Sequence, residues 1–308
     1  MAAVRKEELI RNLKKTGWQR KVQGVKEFLG IVRSHKASLF GSILLTIIVV
    51  MALFAPYLAP YDPYKRTGRP LEPPSWKHPL GTNDAGQDIL SELIYGARIS
   101  LMIGIVSAVS AVAIGVVVGM VAGYKGGKVD EVLMRIVDLF MVMPSLLLVI
   151  FLAMVFKGTW LGTQMFLVLI VAIAITSWPT VARVVRSMIL SLKERPFVES
   201  VRALGASDAY VMAKYLLPNT APLILAETLL RTASNMITEA SLSFLGLGDA
   251  TQKSWGMMLH YAFSRQAIVL GLWTWVIPPG LMISLSVLSL LLVGQALEIY
   301  VNPRLRRR

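Results

Sequence analysis

Residues 193–218 read KERPFVESVRALGASDAYVMAKYLLP, a polar corner set between two long apolar runs. Pro196 suits a first helical position, where its missing N–H removes no hydrogen bond, and Glu199 in the first turn complements the positive helix end. Gly205 suits the left-handed residue that closes such a helix. Ser207 followed by Asp208 suits an N-cap that restarts a second one. The stretch predicts a helix of about two turns, a sharp corner, and a helix feeding the next apolar run. A short helix pinned between two long ones is a lever. A partner that grips residues 197–204 and moves them tilts both neighbours.

The flanking runs decide the fold class. Hydrophobic residues fill 55% of 308 positions and charged ones 16%, where a soluble domain carries about 25% charged. A membrane span needs about 20 largely apolar residues. Runs of that kind cover 38–58, 99–122, 133–156, 165–190, 216–245 and 270–297. The expected fold is all-α, a polytopic membrane protein of six transmembrane helices. Its divisions are a basic tail at 1–37, a first span at 38–58, an extracytoplasmic segment at 59–97, a five-helix core at 98–297 and a basic tail at 298–308. The corner at 193–218 falls within the core.

Basic residues orient these spans. Ten Lys/Arg precede Ser38, three lie at Lys125, Lys128 and Arg135, six fall between Arg183 and Lys214, and four occupy the last five positions. With six spans these 23 of 32 share one face, which the positive-inside rule makes cytoplasmic, with both termini on it. The net charge of +14 therefore calls for no nucleic-acid partner. Trp18, Phe28 and Leu29 among the basic residues of 4–36 suit a helix lying on an anionic membrane surface. The first apolar run is too long for a signal-peptide core and lacks a small-residue cleavage site, so it reads as a retained span. Cysteine is absent, which excludes disulfides and thiolate metal sites.

Gly115, Gly119 and Gly123 recur every four residues and offer a smooth stripe for close helix packing. Pro144, Pro179 and Pro278-Pro279 interrupt three spans, and in concert they favour a pathway that moves. Polar groups at membrane depth are few: Asp138, Glu227, Arg231 and Glu239. Glu227 and Arg231 stand at i and i+4, where they can neutralise each other. No chain of Asp, Glu and His marks a proton or sodium path, and no paired Asp or metal-ligand set marks a membrane hydrolase. No G-x-x-x-x-G-K-[ST] loop is present to cradle ATP phosphates. The competing reading is an ion-coupled secondary transporter or channel subunit.

The segment 59–97 is rich in proline, then reads His78-Pro-Leu-Gly-Thr-Asn-Asp84, with an amphipathic stretch at 88–98. It reads as a loop and short helices on the outer mouth. His78 precedes a proline and has no ligand spacing with His35 or His260, so it reads as structural, and no metal site is expected. Trp255, Trp273 and Trp275 fit an outer interface belt.

The corner resembles the EAA loop of binding-protein-dependent ABC importers: E-A-A, three residues, G, nine residues, I, one residue, L-P. Glu199, Gly205, Leu217 and Pro218 match, while Ser200, Val201 and Tyr215 replace the alanines and isoleucine. Nearly the whole chain after the tail resembles the oligopeptide, dipeptide and nickel permease family, of the "C" type. The match runs through His78–Thr82, Gly86, Asp88, Ser91, 95–101, Gly127, Asp130, Met134-Arg135, Asp138 and Pro144. It continues through 202–207, 217–219, 242–248, 255–259, Pro279-Gly280 and 302–306. The resemblance implies a homologous "B" permease, two ABC ATPase subunits holding ATP and Mg, an extracytoplasmic binding protein, and the inner membrane of a prokaryote. It implies no cofactor on this chain and no catalysis by it. It assigns ATPase coupling to Phe197, Glu199, Arg202, Ala203, Leu204, Gly205, Ala206, Ser207 and Asp208. Docking or entry falls to His78, Gly81, Thr82, Asn83, Asp84, Gly86 and Asp88. The chain departs from the family pattern at Asn83, Gln87 and Glu92, and again at Gln295, Glu298 and Asn302. These departures leave the cargo open among peptides, oligosaccharides, nickel chelates and opines.

Overall fold

The computed structural model describes residues 30–301. The basic tail before Gly30, with its surface-helix reading, and the motif beginning at Asn302 lie outside the described residues. The architecture is all-α, and among the described residues the only β pairing is an isolated bridge between Thr82 and Asp88.

Helix α1 (Lys36–Leu53) continues through a kink at Phe54 into the short α2 (Ala55–Leu58), which Pro56 opens. Helix α3 (Ile89–Lys125) starts where the Asp88 carboxylate accepts from the Ser91 N–H and ends at Gly126, whose φ is 66°. Its 37 residues extend about 55 Å, far more than the roughly 30 Å of hydrocarbon. Residues 89–98 are the first turns of α3, not the separate short helices expected from the sequence. The helix runs on through Gly96, and no Pro intervenes.

Helices α4 (Gly127–Val142) and α5 (Ser145–Lys157) meet at 94°. Pro144 restricts Met143 to an extended conformation and ends α4. Pro179 lies inside the unbroken α6 (Met165–Lys193), and Pro278 and Pro279 inside α11 (Trp273–Val301), so these two expected interruptions are absorbed within continuous helices. Beyond α6 come α7 (Pro196–Ala203), α8 (Asp208–Val211), a π-turn (Met212–Leu216), α9 (Leu217–Leu242), a second π-turn (Ser243–Leu247) and α10 (Trp255–Ser264).

Among the described residues four helices are long and apolar enough to span a membrane unaided, α1, α3, α6 and α11, and the bent α4–α5 pair makes a fifth if it counts as one span. The remaining expected span is α9. It has ample length, but Glu227, Arg231, Glu239 and its Thr, Ser and Asn residues dilute its hydropathy. It is nonetheless held among α3, α6 and α11. In that position its polar groups find protein partners, not lipid.

The α3–α6 contact is the backbone of the bundle. Gly115, Gly119 and Gly123 face Val181, Ala182, Val185, Arg186 and Ile189, and a methyl group at any of them would overlap α6. The stripe read from the sequence packs directly against α6. Around it, α1 exposes Phe40, Ile43, Ile47, Val50 and Leu53. Water would not tolerate such a face; lipid does. Trp255 is fully buried, its indole N–H donating to the Leu93 carbonyl, and Trp275 is buried as well. Of the three expected belt tryptophans only Trp273 is exposed, because α10 folds back under segment 59–88 and takes Trp255 into the core beside Gly96.

Candidate functional site

The corner has the form its sequence dictates. Pro196 opens α7, Glu199 sits in its first turn, Gly205 takes φ 81°, and the Ser207 hydroxyl accepts from the Tyr210 N–H to cap α8. An inner face holds it down: Val198, Val211 and Leu216 are buried with Val185 and Ile189 of α6 and Tyr124 of α3. Polar ties add to this. The Asp208 carboxylate accepts from Tyr124 (3.0 Å) and Lys125 (2.6 Å), and the Lys193 ammonium donates to the Gly123 carbonyl (3.0 Å). The Arg202 guanidinium lies 5.6 Å from the Tyr124 ring centroid. The two donors on Asp208 hold its carboxyl below the usual carboxylate range. The corner is therefore tied to α3 as well as to α6 and α9, a third anchor that its own sequence does not reveal.

The outer face of the corner is different. Phe197, Glu199, Arg202, Ala203, Leu204, Gly205 and Ser207 are exposed, with Leu204 87% accessible, while Ala206 and Asp208 are half-buried. A phenylalanine and a leucine held out of the core beside a free carboxylate and an arginine make a small amphipathic knob.

The polar groups of the bundle form pairs. Glu227 and Arg231 lie 3.6 Å apart along α9, and Arg231 also donates to the Thr180 hydroxyl of α6 (3.1 Å). Asp138 pairs with Arg183, and Asp130 pairs with Arg186 through two hydrogen bonds, lacing α4 to α6. Glu239 is buried, accepting from the Ser243 hydroxyl at 2.8 Å. Arg183 and Arg186 were legible only as flanking charges, and Asp130 only as one residue of the family resemblance.

At the opposite end, segment 59–88 is a compact frame. The His78 imidazole donates to Asp88 (2.9 Å), which also accepts from the N–H and hydroxyl of Ser91. Thr82 donates to the Arg69 carbonyl (2.6 Å), and Gly81 and Gly86 turn the chain at φ 81° and 75°. Asn83 accepts from the backbone of Ala85 and Gln87, and donates to Gln87 and Glu92. Lys253, arriving from the loop before α10, donates to Gln87 (2.7 Å) and pairs with Glu92. Arg265 pairs with Asp84 at 2.7 Å. His78, Gly81, Thr82, Asn83, Gly86 and Asp88 are buried, and Asp84 is half-buried. These residues shape the frame, and its exposed surface is made by their neighbours. The three departures at Asn83, Gln87 and Glu92 converge with Lys253 on one network, a relation across more than 160 positions that the sequence does not show. Among the described residues no group of His, Cys, Asp or Glu has the arrangement of a metal site.

A polytopic helical bundle with lipid-facing helices, a laced interior and an anchored knob at one end defines a class: membrane permeases. The chain belongs to the family of binding-protein-dependent transport system inner membrane components, which matches residues 115–307, while residues 26–74 match the N-terminal TM domain of oligopeptide transport permease C. It is 37% identical over 279 residues to the dipeptide transport system permease protein DppC of Bacillus subtilis, covering 90% of this chain and 84% of that one. It is 37% identical to the oligopeptide transport system permease protein OppC of the same species, over 89% and 88% of the two chains. The di/tripeptide transport system permease protein DppC of Pseudomonas aeruginosa is 37% identical over 92% and 93%. The chain is thus a multi-pass inner-membrane permease subunit of an ABC importer, a transport subunit in a family of transport subunits.

Proposed function

We propose that this chain forms half of the translocation pathway of an ATP-driven importer of peptides, or of a related solute such as an oligosaccharide or nickel chelate. A homologous permease supplies the other half. Two separate ATPase subunits bind ATP and Mg and push on residues 196–217, and an extracytoplasmic binding protein delivers solute to the end formed by segment 59–97 and the stretch 246–269. The basic end, with both termini, is cytoplasmic. No catalytic group or cofactor belongs to this chain in this scheme.

One observation carries the proposal: the corner is rigidly anchored on one side and presents Phe197, Glu199, Arg202 and Leu204 on the other. A loop with no mechanical task has no reason to hold apolar side chains in water on so firm a base. Its ties to α3, α6 and α9 mean that displacement of α7 reaches three long helices together. The peptide reading draws on the relatives, whose names specify dipeptide, di/tripeptide and oligopeptide transport.

Glu199→Lys and Gly205→Pro test it. Both variants should insert normally, lose uptake in reconstituted vesicles, and fail to retain the ATPase subunits on purification. Normal uptake in either variant overturns the coupling role. Uptake that persists without ATPase subunits and collapses with an uncoupler replaces it with ion-coupled transport.

A further inference from the structure

A cavity of about 290 Å³ opens at the end of the bundle away from the corner, and nothing in the coupling mechanism uses it. Its walls come from three places: Ile99 and Met102 of α3, Thr163, Gln164 and Phe166 at the start of α6, and Asp249, Thr251 and Gln252 in the loop after α9. This volume sits at the small end of ligand pockets, which begin near 300 Å³. It suits one end of a larger molecule.

Asp249 is the one charged group in the lining. Its orientation is fixed from two segments. One oxygen accepts from the N–H and hydroxyl of Thr251, at 2.9 and 2.6 Å, and the other from the Phe166 N–H at 3.3 Å. A carboxylate has about four acceptor positions, so these three donors leave it room for one more. Gln164 and Gln252 share the lining, and neither side-chain amide has a hydrogen-bond partner among the described residues. The third component is apolar: Ile99, Phe166 and Met102, the last a flexible side chain that adapts to different shapes.

A fixed anion, two free amides and an adaptable apolar wall together match a protonated amine, a peptide unit and a variable side chain. We infer that this cavity is an entry subsite for the amino terminus of a peptide cargo. Asp249 takes the α-ammonium, Gln164 and Gln252 take the first peptide group, and Met102 and Phe166 pack on the first side chain. A carboxyl terminus would be repelled by Asp249, and an oligosaccharide has no cation to offer it. The inference rests on the peptide-import reading and narrows it to one end of one cargo class.

Because the chain has no cysteine, Met102→Cys gives this subunit a single thiol at the cavity wall. The complete transporter in lipid nanodiscs, without its binding protein, is treated with a fluorescent maleimide in resting and ATP-trapped states. Trialanine should slow labelling several-fold in at least one state, whereas N-acetyl-trialanine and maltotriose should not. Asp249→Asn should abolish the protection, measured against that variant's own unprotected labelling rate, and Gln164→Ala should weaken it. Thr163→Cys serves as the reporter if the Met102 variant misassembles. Equal protection by the acetylated peptide, survival of protection in Asp249→Asn, or no protection in either state overturns the inference. Uptake by the unmodified transporter with its binding protein separates the two claims. Trialanine imported without protection sinks the subsite alone, and import of sugar with no peptide sinks the peptide reading along with it.

Discussion

Gly205 and Gly119 are the same residue used for opposite reasons. Gly205 has open space around its α-carbon, and only its φ of 81° demands glycine. Gly119 has an ordinary helical backbone, but a methyl group there would overlap the Ala182 carbonyl. Gly205→Ala should therefore cost about 1 kcal/mol of left-handed strain, with a small fall in melting temperature and a larger fall in uptake, because the corner changes shape. Gly119→Ala should cost about 1–3 kcal/mol from overpacking, and its melting temperature should fall further. Thermal unfolding of the two purified variants, set against uptake in vesicles, checks this crossing of effects. Asp208 supplies a pH test. Tyr124 and Lys125 hold its folded pKa below the unfolded value, so its contribution is complete above the ordinary carboxylate range and disappears as pH falls through the folded pKa. Asp208→Asn should lower the melting temperature at neutral pH, and the gap between variant and parent should close only in acid. A gap that widened with falling pH would contradict the assignment.

Among the elements, the 94° corner between α4 and α5 departs furthest from what apolar length suggests. Residues 133–156 contain enough apolar chain for a straight span, yet Pro144 turns it back on itself. Straight, Val132 and Phe151 would be about 29 Å apart; as two arms at the observed angle they lie about 20 Å apart. Spin labels at Val132→Cys and Phe151→Cys should report the short distance in the parent background and the long one once Pro144→Leu permits a continuous helix. The same residue shows why the sequence was only partly legible. A proline in an apolar run announces a break, but its size depends on whether neighbours fill the missing hydrogen bond. Pro179 and Pro278-Pro279 pass through long helices, while Pro144 ends one. The corner at 193–218 was readable to the residue because caps, a helix-starting proline and a left-handed glycine are local signals. The charge lacing of α4 to α6, and the third anchor of the corner through Tyr124 and Lys125, are tertiary pairings. Nothing local distinguishes their members from solvated charges. Burial of Trp255 was hidden for the same reason, since a tryptophan near a span end fits an interface belt until a returning helix is seen to cover it.

At the scale of the molecule, the two ends of the bundle are held by different chemistry. The corner end is anchored by apolar burial with exposed charge pairs around it, and can shift without stranding a buried ion. The far end is locked by Glu92, 3% exposed, and Lys253, joined through Asn83 and Gln87 so that segment 59–88, α3 and the loop before α10 move as one piece. Removing one member of such a buried pair leaves the other unneutralised, at about 3–5 kcal/mol, whereas replacing both with apolar groups is often neutral. Lys253→Met alone should therefore destabilise the protein strongly and expose segment 59–88 to proteolysis. Adding Glu92→Met should restore most of the loss. A double-mutant cycle by thermal unfolding, run beside limited proteolysis of that segment, measures the coupling. If the pair is the lock, the cycle is strongly non-additive and protease resistance returns with the second substitution. Additive losses would mean that Asn83, Gln87 and the His78–Asp88 frame hold the outer end by themselves. Uptake then becomes informative. A double variant that is stable but slow in transport would show that the lock's polarity, beyond its strength, serves transport.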